Sequence, residues 1–235
     1  MLRLQKSNEK YQIYSSDRYI GTVQLYDNPY HLTNCYLHLE LKELNHSIGA
    51  SLFAELKKIT HRPLQIMIDS TETSTLAFLT ASGFECRRKC YEIEVRFTDY
   101  TGGKTSLPLS HCQVGDADYM QSCQLLFDHY VATHKSINPW TADFQTFCST
   151  LPNEVIYVKK GNSLSAAFIE GNEIAYTCGS NKLDFEQFLH CLVSAMFSQY
   201  ETICFECDHC DWPMMLLKSL FNVHCENSFD TYVLD

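Results

Sequence analysis

Two stretches of the chain hold residue types whose spacing could do chemistry. The first is His46-Ser47-Ile48-Gly49-Ala50-Ser51. Leu52, Phe53, Leu56 and Ile59 follow it at helical spacing, so the periodicity predicts a helix that starts at or just after Gly49. A turn that delivers a free helix N-terminus offers unpaired backbone N–H groups and a positive dipole end, which suit a pyrophosphate. Glycine there would let a ligand approach the backbone closely. The amides of Ile48 to Ser51 would face phosphate oxygens, and the Ser47 or Ser51 hydroxyl could assist. The alternative is a helix cap with nothing bound. The second stretch is Cys204-x-x-Cys207-x-x-Cys210, with His209 inside it and His224 and Cys225 downstream. These are zinc-ligand types, but no second Cys-x-x-Cys accompanies them, so no metal is expected.

The elements that must position the first stretch are readable around it. Leu37-His38-Leu39-Glu40-Leu41 alternates as a half-buried strand, and Leu64 to Asp69 is a second, more apolar one. A helix over about Thr73 to Ser82 stops at Gly83, and Phe84 leads to a strand from Cys90 to Val95. Strand, glycine turn, helix, buried strand, helix and Gly83-Phe84, in that order, resemble the GNAT-type N-acetyltransferases. In that family an Arg/Gln-x-x-Gly-x-Gly/Ala turn binds the pyrophosphate of acetyl-CoA. Here His46 stands at the Arg/Gln position, and an imidazole is charged only below about pH 6.5.

The resemblance implies further roles. The backbone at Leu41 would polarise the thioester carbonyl, with Glu40 beside it as a candidate base and Asp69 as a weaker one. An outward charge on the strand for Glu40, and a turn cap for Asp69, are the competing readings. Leu41, His46, Ser47, Ile48, Gly49, Ala50, Ser51 and Thr73 make up the candidate set for the acyl-CoA. The family's acid for the thiolate is commonly a tyrosine four residues before Gly-Phe, where this chain has Leu79. Thr80, Ser82, Tyr36 or Tyr91 are substitutes that spacing alone does not rank.

Composition limits the alternatives. The 235 residues are 45% hydrophobic and 20% charged, the profile of an ordinary globular chain. No apolar run reaches the length of a membrane span, and the first residues lack the apolar core of a signal peptide. Twelve cysteines without such a signal read as reduced thiols in a cytoplasmic protein rather than a disulfide framework. Residues 1–110 carry 13 Lys/Arg against 12 Asp/Glu, and residues 111–235 carry 5 against 16. The acidic second half argues against nucleic acid and is compatible with a cationic amine, or simply with solubility.

Along the chain, Tyr11–Tyr14 and Tyr19–Tyr26 read as a hairpin, and residues 97–110 as a linker. Asp116 to His134 carries Met120, Cys123, Leu126, Phe127 and Tyr130 on one helical face, and Thr141 is a candidate N-cap for a helix through Leu151. Strands are predicted at 155–158, 164–169, 174–178, 202–206 and 231–234, with helices at 184–197 and 214–218. This order repeats the first half. A shift of 137 positions carries Phe84 onto Phe221, Ile66 onto Ile203, and Ile48, Leu52, Leu56 and Ile59 onto Phe185, Leu189, Val193 and Met196. The same shift lays the three spaced cysteines over Met67, Ser70 and Thr73, and puts Glu186 and Gln187 where Gly49 and Ala50 stand.

The expectation is therefore an α+β chain of two GNAT-like domains, each a mixed, mostly antiparallel sheet flanked by helices. Residues 1–96 would be a truncated domain without the two helices that usually wall the acceptor site. Residues 111–235 would be a complete one with a degenerate cofactor motif. The function implied is acyl transfer from acetyl-CoA, or another acyl-CoA, to an amine-bearing small molecule or peptide. The rival is a catalytically inactive CoA- or ligand-binding regulator. Neither nucleic acid nor membrane is expected as a partner, and a homodimer is allowed.

Overall fold

The structure, a computed structural model, describes residues 2–44, 46–103 and 105–235, and of His46 the backbone alone. Strands β1 (Leu2–Ser7), β2 (Lys10–Ser15), β3 (Arg18–Tyr26) and β4 (Cys35–Leu41) come first. β1 precedes the hairpin with which the predicted elements begin. Leu2 and Leu4 alternate with Arg3 and Gln5 over too short a run to register as a strand, and pairing with β2 (Leu4 opposite Ile13) supplies the rest. Between β2 and β3, Ser16 and Asp17 take φ of +47° and +67°, the two left-handed residues a type I′ hairpin requires.

Helix α1 (His46–Thr60), β5 (Leu64–Asp69), α2 (Thr73–Ala81) and β6 (Glu85–Arg96) follow. α1 starts at His46 rather than at Gly49. Its inner face is Leu52, Phe53 and Leu56, all fully buried, whereas Ile59 is 43% exposed and lies off that face. Gly83 has φ of +96°, as its place just beyond the α2 C-terminus demands.

Next come β7 (Ser110–Gln113), α3 (Ala117–His134), α4 (Phe144–Ser149), β8 (Glu154–Lys160), β9 (Ser163–Glu170) and β10 (Glu173–Gly179). α5 (Lys182–Phe197), β11 (Thr202–Asp208), α6 (Trp212–Ser219) and β12 (Phe229–Leu234) complete the order. On α3, Met120 is exposed and Tyr119 is buried in its stead. The N-cap of α4 is Asp143, whose carboxylate accepts from the Thr146 N–H at 2.7 Å. Thr141 is used elsewhere: its N–H and hydroxyl both donate to the Tyr30 carbonyl.

The chain forms two compact units, and they are not contiguous in sequence. The first comprises Met1–Lys89, His134–Ala142 and Asn227–Asp235, and the second Cys90–Thr133 and Asp143–Glu226. In the first, the strand order is β1-β2-β3-β4-β5-β12, with β12 antiparallel to β5 from Phe229 opposite Asp69 to Leu234 opposite Leu64. In the second it is β6-β11-β10-β9-β8-β7, with β6 antiparallel to β11 from Thr202 opposite Arg96 to Asp208 opposite Cys90. Each sheet therefore takes its last strand from the other half of the sequence. The continuous domains 1–96 and 111–235 are not what the contacts make.

Nor is the segment after β6 a free linker. Thr101 donates from its N–H to the Leu220 carbonyl at 2.8 Å, and Tyr100 packs on Phe221 inside the second unit. Its aromatic anchors outweigh its glycines.

Each unit buries one helical pair on its sheet. In the first, Leu52, Phe53, Leu56, Phe78 and Leu79 meet Ile13, Val23, Cys35, Leu37, Leu64 and Ile66. In the second, Phe185, Phe188, Leu189, Leu192, Met214 and Leu217 meet Ile93, Ile169, Ile174, Ile203 and Phe205. Shifted by 137 positions, β4 falls on β10, α1 on α5, β5 on β11 and α2 on α6, so the repeat is structural. No helix precedes α1 among the described residues.

Candidate functional site

Every strand pair within the units is antiparallel except one in each. In the first unit β4 and β5 run parallel, but they pair only at Cys35–Leu64 and Tyr36–Gln65. From Leu37 and Ile66 onward the two strands part, so the sheet forks. β4 runs on to Leu41, about 17 Å beyond Tyr36 at the rise of an extended chain, and α1 begins at His46. The fork thus opens toward a helix N-terminus.

In a helix that begins at His46, the N–H groups that precede the i→i−4 ladder belong to the first turn, up to Ile48. The amides of Gly49, Ala50 and Ser51 sit within the i→i−4 ladder instead, so the expected donor window moves toward the helix start. That turn carries no acidic side chain, although Ala50 and Ser51 are exposed. Ile48 is half-buried against the core. The side chain of His46 lies outside the described residues, as does Asn45. Gly49 is buried, and a Cβ on it would stand 2.0 Å from Ser82 Oγ and 2.9 Å from the Phe78 ring. The pressure for glycine there comes from α2, whatever else the turn does.

Thr73 opens α2 and is exposed, and Leu41 packs half-buried against the core. Leu79, at the family's tyrosine position, is fully buried.

Both carboxylates named in advance face solvent. Glu40 lies four residues beyond the closed end of the fork and accepts from Lys10 Nζ at 3.1 Å and Thr22 Oγ1 at 2.9 Å. Those bonds, Lys10 first, hold its carboxyl below the usual range. Asp69 accepts from the Thr71 N–H at 2.8 Å and its hydroxyl at 2.7 Å, which lowers it likewise and makes it a turn cap. A carboxylate held ionised in this way is a weaker proton acceptor.

A polar group of which the sequence singled out only Tyr36 stands at the closed end of the fork. Alternation turns Cys35, Leu37, Leu64 and Ile66 into the core, so Tyr36 and Gln65 project from the opposite face. There they meet the segment His134–Ala142 of the same unit. Asn34 Nδ2 donates to Gln65 Oε1 and to the Ile137 carbonyl, both at 2.8 Å. Asn138 Nδ2 reaches the Tyr36 hydroxyl at 3.4 Å, and His31 Nδ1 donates to the Asn138 carbonyl at 2.6 Å. Trp140 stacks on Tyr30 at 5.0 Å. Gln65 is fully buried and Asn138 is 5% exposed, yet Asn138 Oδ1 has no hydrogen-bond partner, and Gln65 Nε2 faces the Tyr36 phenol without a bond of good geometry. Burial raises the Tyr36 phenol and lowers the His31 imidazole from their ordinary values. Gln65 between Leu64 and Ile66 was the other local signal.

The second unit repeats the frame with other contents. β10 and β11 pair in parallel only at Glu173–Cys204. Asn181 caps α5, its side chain accepting from the N–H groups of Leu183 and Asp184 at 3.0 and 3.2 Å. Asp184 adds a carboxylate to the first turn, in an ion pair with Lys160 at 2.7 Å. Gly179 is pressed against Phe185, where a Cβ would come within 2.6 Å of the ring. Of the three spaced cysteines, Cys207 is fully buried, and burial pushes its thiol up to about 12. Among the described residues no group of His, Cys, Asp or Glu could hold a metal ion.

Comparison with solved structures gives the fold a name. The chain aligns over 98% of its length with 82% of a GCN5-related N-acetyltransferase from Sphaerobacter thermophilus, at a TM-score of 0.51 and 8% identity. It aligns over 95% of its length with 61% of a probable N-acyltransferase from Enterococcus faecalis, at 0.51 and 11%. No family model matches the sequence, and no curated protein does. The fold is that of the GCN5-related N-acetyltransferases. No described helix is long and apolar enough to cross a membrane.

Proposed function

From that fold we propose that the protein is an acyltransferase that moves the acyl group of acetyl-CoA, or another acyl-CoA, to an amine on a small molecule or peptide. One observation carries the reading. The fork of the first unit opens toward a helix whose first turn holds no acidic residue, whereas the first turn of α5 carries Asp184. In this reading the first-turn amides of α1, from His46 to Ile48, receive the pyrophosphate, with Ser47 beside them. Gly49, Ala50 and Ser51 continue the turn behind it, and Leu41 and Thr73 flank the cofactor. The acyl-bearing arm lies along the fork, between Leu37–Leu41 and Ile66–Asp69. Acyl transfer by direct attack asks for no metal.

Calorimetric titration of the full chain with acetyl-CoA tests this. Ser47→Asp places a carboxylate in the first turn, where it favours the helix and repels phosphate. It is expected to weaken binding about tenfold without lowering the melting temperature, an effect of the size a helix dipole and one charge supply. Absence of binding by the wild-type chain would refute the reading.

A second reading, a CoA-binding regulator without transferase activity, is favoured by Leu79 at the tyrosine position and by the tied-up carboxylates of Glu40 and Asp69. Binding of acetyl-CoA with no release of free thiol across an amine and peptide panel selects it.

A further inference from the structure

The closed end of the first fork buries polar side chains where the rest of the sheet buries apolar ones. Gln65 Nε2 makes no hydrogen bond of good geometry, although its amide faces the Tyr36 phenol, and Asn138 Oδ1 has no partner; both residues are more than nine-tenths buried. The Tyr36 hydroxyl stands 3.4 Å from the Asn138 amide, and Tyr36 and Gln65 are the last residues paired before the strands part. Leaving a buried donor and a buried acceptor without good partners costs stability, so the two ask for a ligand that brings one acceptor and one donor. A thioester carbonyl beside a neutral amine is such a ligand.

We propose that Gln65, Asn138 and Tyr36 are the transfer residues of this fork. The inference rests on the acyltransferase reading of the same fork. Gln65 Nε2–H donates to the thioester carbonyl oxygen, on which negative charge grows as the amine attacks. Asn138 Oδ1 accepts an N–H of the neutral amine and aims its lone pair at the carbonyl carbon. As the C–N bond forms, the C–S bond breaks and its electron pair leaves with sulfur. Tyr36 gives its phenolic proton to that thiolate and takes one from the nitrogen, so the products are an amide and a free thiol and the tyrosine ends as it began. Asn138 comes from the segment His134–Ala142, so a loop from the second half of the sequence stands where early helices are lacking in the first.

The test needs no acceptor. Acetyl-CoA labelled with carbon-13 at the thioester carbonyl is added to the full chain, and its resonance is expected to move downfield on binding. In Gln65→Met the dissociation constant should stay within about threefold while most of that movement disappears, the mark of one lost carbonyl donor. Gln65→Leu lacks the donor in a side chain of similar reach that cannot regain one by protonation, and serves if the methionine variant does not fold. Separately, the wild type should bind CoA more tightly than desulfo-CoA, and Tyr36→Phe should bind the two alike. An unchanged carbonyl shift in both Gln65 variants, or an undiminished preference for CoA in Tyr36→Phe, overturns the assignment and leaves the acyltransferase reading standing. No binding of acetyl-CoA by the wild type removes both.

Discussion

The two forks share a frame and differ in what meets them. In the first unit β4 and β5 part toward a helix start free of acidic side chains, and in the second β10 and β11 part toward one occupied by Asn181 and Asp184. The frame is set by an apolar face, Leu52 and Leu56 in one copy and Leu189 and Val193 in the other, all fully buried. The chemistry available at the helix start is set by two or three polar residues that contribute little to that face. A repeat can therefore keep its packing while the polar residues at its helix start change.

The comparison can be broken hardest at its glycines. Gly49→Ala is expected to cost about 2 kcal/mol, because overpacking against Phe78 and Ser82 exceeds the gain of roughly 1 kcal/mol from a better helix former. Gly49→Ala with Ser82→Ala should recover part of the loss. Gly179→Ala should cost a similar amount through Phe185, as read from denaturant midpoints. If Gly49→Ala is neutral in stability yet abolishes acetyl-CoA binding, the glycine serves a ligand and the packing account fails.

A smaller effect sharpens the contrast at the caps. Asn181→Ala removes two hydrogen bonds at the start of α5 and should destabilise the protein by about 1 kcal/mol. Acetyl-CoA affinity should not change. A gain or loss of affinity on that substitution would show that the second fork takes part in binding after all.

The weakest effect concerns pH. Burial lowers the folded-state pKa of His31 below its ordinary value. The unfolded chain then binds more protons than the folded one just below pH 6.5, so the His31 contribution is full above that pH and is lost as pH falls through the folded pKa. Urea midpoints should decline on acidification through this window, and His31→Gln should flatten the slope. An unaltered slope would mean that other groups carry it.

Much of the frame was legible because helices and strands announce themselves by period. β8 to β12, α5 and α6 lie within a few residues of the runs that predicted them. The start of α1 was not, since its opening turn has no acidic residue and Gly49 reads as a turn when its neighbour Ser82 is unknown. The exchange of final strands was hidden for a different reason. β6 and β12 follow equivalent helices, and nothing local in either strand says which sheet it joins. At the candidate site, Gly49, Glu40 and Asp69 were visible as residue types, but their partners Ser82, Lys10 and Thr71 decide what each does. Tyr36 and Gln65 were visible singly, but their meeting with Asn138 was out of reach of any local pattern, because Asn138 and Tyr36 stand 102 residues apart.

The placement of β12 bears on how the protein comes into being. Leu64 and Ile66 leave a ribosome about 165 residues before the strand that covers their outer edge, Phe229–Leu234. During that interval the nascent first sheet offers an unsatisfied edge of the sort that recruits foreign strands. Loop closure over so many residues is slow, and a chain of this design has good reason to depend on chaperones until that strand is made.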